Sequence, residues 1–128
     1  MRRGDFEALV RRHLDGVLVP RGFELSPQPP AEWDDEQPRA VYEAAPVDFN
    51  RRYPAIACDD PRCIDLWVEL DPSTGMIRGA LNGPSIEEVT KRLGLTLPPM
   101  SGPPKSDIGL QLTNLAAHLA ELFDAAKR

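Results

Sequence analysis

The sequence predicts an α+β fold, in which about four antiparallel strands form a meander and the N-terminal and C-terminal helices pack on one face. The expected order of elements is α-β-β-β-β-α-α. Three observations predict this fold: an apolar stripe at helical spacing near each end of the chain, and a hairpin pattern in the middle. Antiparallel sheets commonly bury one face and leave the other to solvent, so two amphipathic helices are enough to complete a core.

The hairpin pattern occupies residues 63–82. Apolar and polar residues alternate over 64–70, which is typical of a half-buried strand. Residues 71–75 (DPSTG) have turn composition, because Pro72 fixes φ and Gly75 tolerates a positive φ. A four-residue loop then sets the register of the two strands, and both strands place their apolar residues on the same side. The inner-face pairs are Leu70–Ile77, Val68–Gly79 and Leu66–Leu81. The outer-face pairs are Glu69–Arg78 and Trp67–Ala80.

Three segments carry helix signals. Apolar residues recur at helical spacing over 5–18, and His13 lies among them, where a packed histidine is more common than a catalytic one. A second helix begins at Ser85, which forms a capping box with Glu88, and it ends at Gly94. The third runs from Ser106 or Asp107 to about Ala126. Its apolar seam favours packing on the sheet, with pairing in a homodimer as the alternative.

The remaining predicted strands are short. Phe23–Leu25 follows Gly22, and Arg39–Ala45 precedes Pro46, which either ends that strand or makes it an edge. In the second of these strands, the alternation predicts that Val41 points inward and that Tyr42 lies on the outer face. His118 lies off the seam of the last helix and is expected in solvent.

Bulk composition narrows the classes of function. The chain has 128 residues, which fits one domain spanning 1–128. A net charge of −5 disfavours nucleic-acid binding, since phosphates require a basic face. No apolar run approaches the ~20 residues that span a bilayer, so no membrane partner is expected. Two cysteines do not make a disulfide framework, and the cytoplasm is the expected compartment.

Residues with catalytic or metal-binding spacing are absent from the sequence. There is no glycine-rich phosphate loop, no G-x-S-x-G and no H-E-x-x-H, and no cofactor is expected. Cys58 and Cys63 lack the second Cys or His pair that zinc needs, so two free thiols are favoured over a metal site or a local disulfide. These observations lean toward a protein that is not an enzyme.

The first functional hypothesis is a protein-interaction module. The outer face of the sheet carries Trp67, Glu69, Arg78 and, on this interpretation, Tyr42. Neither terminal helix has a second apolar stripe to cover Trp67, so this mixed aromatic and charged surface suits a protein partner.

A second hypothesis is a small-molecule or anion site between sheet and helices. Arg51, Arg52 and Tyr53 would lie at its mouth, since guanidinium groups bind planar anions. In the acidic, proline-rich loop before the second strand, Trp33 is equally consistent with a recognition anchor and with a lid over the core.

The order of elements resembles that of small bacterial adaptor proteins, such as secretion chaperones and the immunity proteins that neutralise toxins. The resemblance is one of architecture, which implies a protein partner and transfers no residue.

Overall fold

The computed structural model describes residues 3–26, 39–57, 64–71, 73–96 and 107–127. The strands are β1 (Phe23–Leu25), β2 (Arg39–Ala44), β3 (Ile64–Leu70) and β4 (Ile77–Leu81). The helices are α1 (Arg3–Leu18), α2 (Pro46–Arg52), α3 (Ile86–Arg92) and α4 (Ile108–Ala126), and one turn of 3₁₀-helix covers Val19–Arg21. The predicted α+β class is confirmed.

The four strands form one open antiparallel sheet in the order β1-β2-β3-β4. Between β3 and β4 the register is the predicted one, with Leu70 opposite Ile77 and Trp67 opposite Ala80. The turn closes as its composition indicates, because the Gly75 N–H donates to the Asp71 carbonyl at 2.8 Å and Gly75 has φ +72°. Turn chemistry and hydrophobic alternation therefore specify the same pairing.

The core lies between one face of the sheet and helices α1 and α4. Side chains at helical spacing on α1 are fully buried, and so is most of the predicted seam of α4. The fully buried α1 residues are Phe6, Val10, Leu14 and Leu18. The buried seam residues are Leu112, Leu115, Leu119, Leu122 and Ala126. Removing a Leu side chain from water contributes about 1.5–3 kcal/mol. The seam of α4 is therefore buried in the same core as the apolar stripe of α1.

Helix α2 is not anticipated by the sequence analysis, which gave Pro46 only the role of ending or interrupting β2. Pro46 instead occupies the first turn of the helix, where its fixed φ is favourable and its missing N–H costs nothing. Asp48 in the first turn and Arg52 in the last complement the helix dipole. These two side chains also form an ion pair at 2.9 Å.

Four aromatic rings fasten α2 to the rest of the core. Phe49 of α2 lies 4.7 Å from Phe23 of β1, centroid to centroid, and Tyr53 lies 5.2 Å from Phe123 of α4. Phe123 also contacts Phe23 at 5.3 Å. Edge-to-face and tilted pairs at these distances are the favourable arrangements. A seven-residue helix that is marginal alone is thus held by tertiary contacts.

The predicted place of Tyr42 on the outer face is wrong. Tyr42 is fully buried opposite Leu66 on the core side, and Val41 points outward opposite Trp67. The phenol ring fills the core, while its hydroxyl donates to Asp15 of α1 at 3.0 Å. Tyrosine can do this because its polar tip reaches a partner at the edge of an apolar site.

Burial raises the pKa of Tyr42 above its ordinary value of 10.0, and the nearby Asp15 carboxylate adds to the rise. The folded state therefore resists ionisation that the unfolded chain undergoes. The stability from this group is complete below pH 10 and is lost as the pH rises further.

We expect the free energy of unfolding of the wild type to fall between about pH 8 and about pH 11. The free energy of unfolding of Tyr42→Phe should fall less over the same interval. At neutral pH the variant should lose about 1.5 kcal/mol with the hydrogen bond to Asp15. Urea denaturation at the two pH values checks this. Tyr53, whose pKa burial also raises, retains a share of the pH dependence in the variant. An identical alkaline loss in both proteins would contradict the assignment.

Helix α3 begins as predicted, with the Ser85 hydroxyl accepting from the Glu88 N–H at 3.3 Å. It ends before Gly94, which has φ +69°. The prediction that His118 lies in solvent is wrong, because its Nε2 lies 3.0 Å from the hydroxyl of buried Thr90 on α3. The histidine joins α4 to α3, a contact that the periodicity of α4 alone could not reveal.

Gln111 of α4 covers the free edge of β4 where that strand begins. Its side-chain oxygen accepts from the Ile77 N–H at 2.9 Å, and its side-chain amide donates to the Gly75 carbonyl at 2.9 Å. Further along, the Leu81 N–H donates to the Pro84 carbonyl at 2.9 Å. These bonds satisfy edge groups that would otherwise invite another strand.

Within the described ranges, none of the helices has both the length and the apolar character needed to cross a membrane.

Candidate functional site

The outward-pointing side chains of the sheet form three rows across the strands. Every second residue of each strand points outward, and the strand register places the outward residues of neighbouring strands side by side. The first row is Arg39, Glu69 and Arg78. The middle row is Val41, Trp67 and Ala80. The last row is Glu24, Glu43 and Asp65. Helices α1 and α4 pack against the other face, so Trp67 stands at the centre of the surface opposite them.

A groove of about 560 Å³ runs over the β3 and β4 side of this surface. Trp67 and the small side chain of Ala80 form its floor, and the segment from Gly83 to Glu87, which enters α3, contributes to its wall. Its volume falls within the range of roughly 300–1,000 Å³ that ligand sites occupy. The remaining lining residues are Asp65, Glu69, Arg78 and Gly79.

The basic end of the groove is held by ion pairing. Arg78 contacts the Asp71 carboxylate at 2.7 Å, and the Ser73 hydroxyl bonds to the same carboxylate at 2.7 Å. The Ser73 backbone N–H donates to this carboxylate as well, and the two bonds from Ser73, together with the Arg78 charge, lower the pKa of Asp71. On the same row, the Arg39 guanidinium carbon lies 5.6 Å from the centroid of the Trp67 ring, a cation–π distance.

The other end of the groove is fixed to the neighbouring loop by Asn82. Its side-chain oxygen accepts from the Asp65 N–H at 3.0 Å, and its amide donates to the Ile56 carbonyl. Asn82 has φ +58°, a left-handed conformation that Asn adopts more readily than most residues. The backbone of Asp65 is therefore held in place where it meets the groove.

The structure brings together Trp67, Glu69 and Arg78, all of which line the groove. Sequence reasoning did not single out Asp65 or Glu87 as lining residues. Asp65 could have been found from the alternation that places it on the same face as Trp67. Glu87 could not, since its position depends on how α3 packs beside β4.

The three residues of the anion hypothesis have different surroundings in the described part of the chain. Arg51 is exposed, Arg52 pairs with Asp48 at 2.9 Å, and Tyr53 is buried in the aromatic cluster. They line neither the groove nor a smaller cleft of about 240 Å³ between Ile56, Asn82 and Arg92. Burial raises the pKa of Tyr53 and keeps its hydroxyl neutral. Trp33, Cys58 and Cys63 lie outside the described residues.

No family model matches the chain, and neither a curated protein nor a solved structure matches it.

Proposed function

We propose that this protein is a non-enzymatic interaction module that binds a protein partner on the outer face of its sheet. The observation that carries the proposal is the position of Trp67. It lies half-buried on the floor of an open groove, on the face of the sheet opposite α1 and α4. Tryptophan and arginine are the residues that most often dominate binding energy at protein interfaces.

The composition of the groove supports a protein partner. An aromatic floor is bordered by charged and hydroxyl side chains, the arrangement of an apolar interface centre with a polar rim. The buried core is meanwhile filled by side chains from the sheet and the helices. A partner would therefore bind on the outer surface without rearranging the core.

A photocrosslinking experiment tests the proposal. Benzoylphenylalanine in place of Ala80 puts the reactive group in the groove, while the same substitution at Glu121, exposed on α4, puts it on the opposite side of the molecule. In lysate of the source cells, we expect a discrete adduct from position 80 and none from 121. Excess unlabelled wild type should abolish the adduct.

Trp67→Ala should compete about 30-fold less well than wild type, since a buried interface Trp contributes roughly 2 kcal/mol or more. Leu110→Ala, which truncates an apolar side chain that is 49% exposed on α4, is the matched control and should compete fully. Equal competition by wild type and the Trp67→Ala/Arg78→Ala variant, with both folded, would contradict the proposal.

A further inference from the structure

Asn82 and Gly83 form a dipeptide that can undergo deamidation within the chain. In this reaction the Gly83 nitrogen attacks the side-chain carbonyl carbon of Asn82 and forms a bond to it. The C–N bond of the side-chain amide breaks, and ammonia leaves with the proton of the Gly83 amide. Water then opens the resulting cyclic imide, which leaves Asp or its β-linked isomer at this position.

The sequence favours this reaction at Asn82 over the other asparagines. Glycine has no side chain to shield its nitrogen, and its backbone is freer than that of any other residue. Asn50 and Asn114, the other two asparagines of the chain, precede an arginine and a leucine. In an unfolded chain, Asn82 should therefore react first.

The folded chain holds the Asn82 side chain by both of its polar atoms. Its Oδ1 atom accepts from the Asp65 N–H at 3.0 Å, and its Nδ2 atom donates to the Ile56 carbonyl. Because Nδ2 is the atom that leaves as ammonia, the bond to Ile56 must break in the reaction. The left-handed backbone of Asn82, with φ +58°, also turns the Gly83 nitrogen away from the side-chain carbon. The native conformation therefore opposes a cyclisation that the sequence favours.

We infer that Asn82–Gly83 is a deamidation site that the native fold blocks, so that its modification records an opening of the link between the groove and Ile56. Gly83 is exposed, so water reaches the site once the carboxamide is released. The change does not reverse, because ammonia is lost. The product also cannot restore the link, since Asp has no donor for the Ile56 carbonyl. The β-linked isomer lengthens the main chain inside the turn that the Leu81 N–H closes on the Pro84 carbonyl.

The test incubates the full chain in mildly alkaline buffer with and without guanidinium chloride, and follows all three asparagines by peptide mapping and mass spectrometry. In denaturant we expect Asn82 to react faster than Asn50 and Asn114. In the folded protein we expect Asn82 to react at least about tenfold more slowly than in denaturant, since two side-chain hydrogen bonds must break first. Equal rates at Asn82 under the two conditions would overturn the inference. A denatured chain in which Asn82 reacts no faster than the other two would overturn it as well.

Molecules that are modified in denaturant and then returned to native buffer test the lost link. The N–H groups of Ile56 and Ala57 donate to the Tyr53 carbonyl at 3.0 and 3.1 Å, so their hydrogen exchange reports on this loop. Exchange should be at least about tenfold faster in modified molecules than in unmodified ones from the same sample. Modified molecules that fail to refold, where the unmodified ones succeed, meet the same expectation.

The Asn82→Asp variant carries the product side chain without chemical treatment and should show the same faster exchange. Glu121→Gln, an exposed change on α4, is the control and should exchange like wild type at Ile56 and Ala57. If Asn82→Asp and the modified molecules both exchange like wild type at these two positions, deamidation does not break the link and the inference is wrong.

Discussion

Replacing Phe123 by alanine is expected to lower the free energy of unfolding by about 3–5 kcal/mol. Phe123 is fully buried and contacts three other rings: Phe23, Phe49 and Tyr53. Its removal leaves a cavity where β1, α2 and α4 meet. Since the free energy of unfolding of a domain of this kind is about 5–15 kcal/mol, the loss is a large fraction of its stability. Urea denaturation followed by far-ultraviolet circular dichroism measures it.

Two controls separate the aromatic contacts from a general effect of mutating α4. Phe123→Leu keeps most of the volume and should cost about 1.5 kcal/mol or less. Glu121→Ala, exposed on the same helix, should change stability by at most about 0.5 kcal/mol. Hydrogen exchange gives a local readout, because the Tyr53 N–H, bonded to the Phe49 carbonyl at 2.8 Å, should lose protection when the cluster is opened. A loss below about 1 kcal/mol in Phe123→Ala would contradict the cluster's role in fastening α2.

Asn82→Ala is expected to destabilise the protein by about 2–4 kcal/mol. The substitution removes the acceptor of the Asp65 N–H and the donor to the Ile56 carbonyl, which accounts for roughly 1–3 kcal/mol. A further ~1 kcal/mol arises because alanine is strained at φ +58°. Thermal or urea unfolding of the purified variant measures the total.

Asn82→Gly divides these two contributions. Glycine accepts the positive φ without strain but restores neither hydrogen bond, so it should recover only about 1 kcal/mol relative to alanine. Asn82→Asp keeps an acceptor for the Asp65 N–H and loses the donor to Ile56. If Asn82→Gly were as stable as the wild type, the two side-chain hydrogen bonds of Asn82 would contribute nothing to stability. That result would contradict a stabilising link between the groove and Ile56.

The sequence specifies the hairpin completely, because two independent signals agree there. The composition of residues 71–75 defines the loop, and the alternation of 64–70 defines the buried face, so one register satisfies both. Helices α1 and α4 are equally predictable, since each repeats apolar residues over several turns.

Short elements and the orientations of individual side chains are harder to predict from sequence. Helix α2 covers only seven residues and buries Phe49 against rings far away in the sequence, so local pattern cannot reveal it. Tyr42 is hard to orient from sequence, because Val41 beside it is also a residue that can face the core. Arg39 and Glu43 lie two positions before and two positions after Val41, so strand alternation puts all three on one face. That face is the outer one, because two of the three residues are charged. His118 was misplaced because a helical wheel does not show a neighbouring helix such as α3.

For the site, strand alternation alone locates Trp67, Glu69 and Arg78 on one surface. The groove itself also needs the approach of residues 83–87 to the edge of β4, which is a tertiary arrangement. The row of Glu24, Glu43 and Asp65 becomes visible only once the register across β1, β2 and β3 is known.

The side chain of Gln111 also limits how copies of this protein can assemble. Its carboxamide stands where the peptide group of a fifth strand would lie, bonded to both Ile77 and Gly75. A second molecule therefore cannot continue the sheet at this end of β4, and growth of a fibre by strand addition is blocked there. A single side chain on α4 thus protects the start of the last strand from pairing with a second sheet.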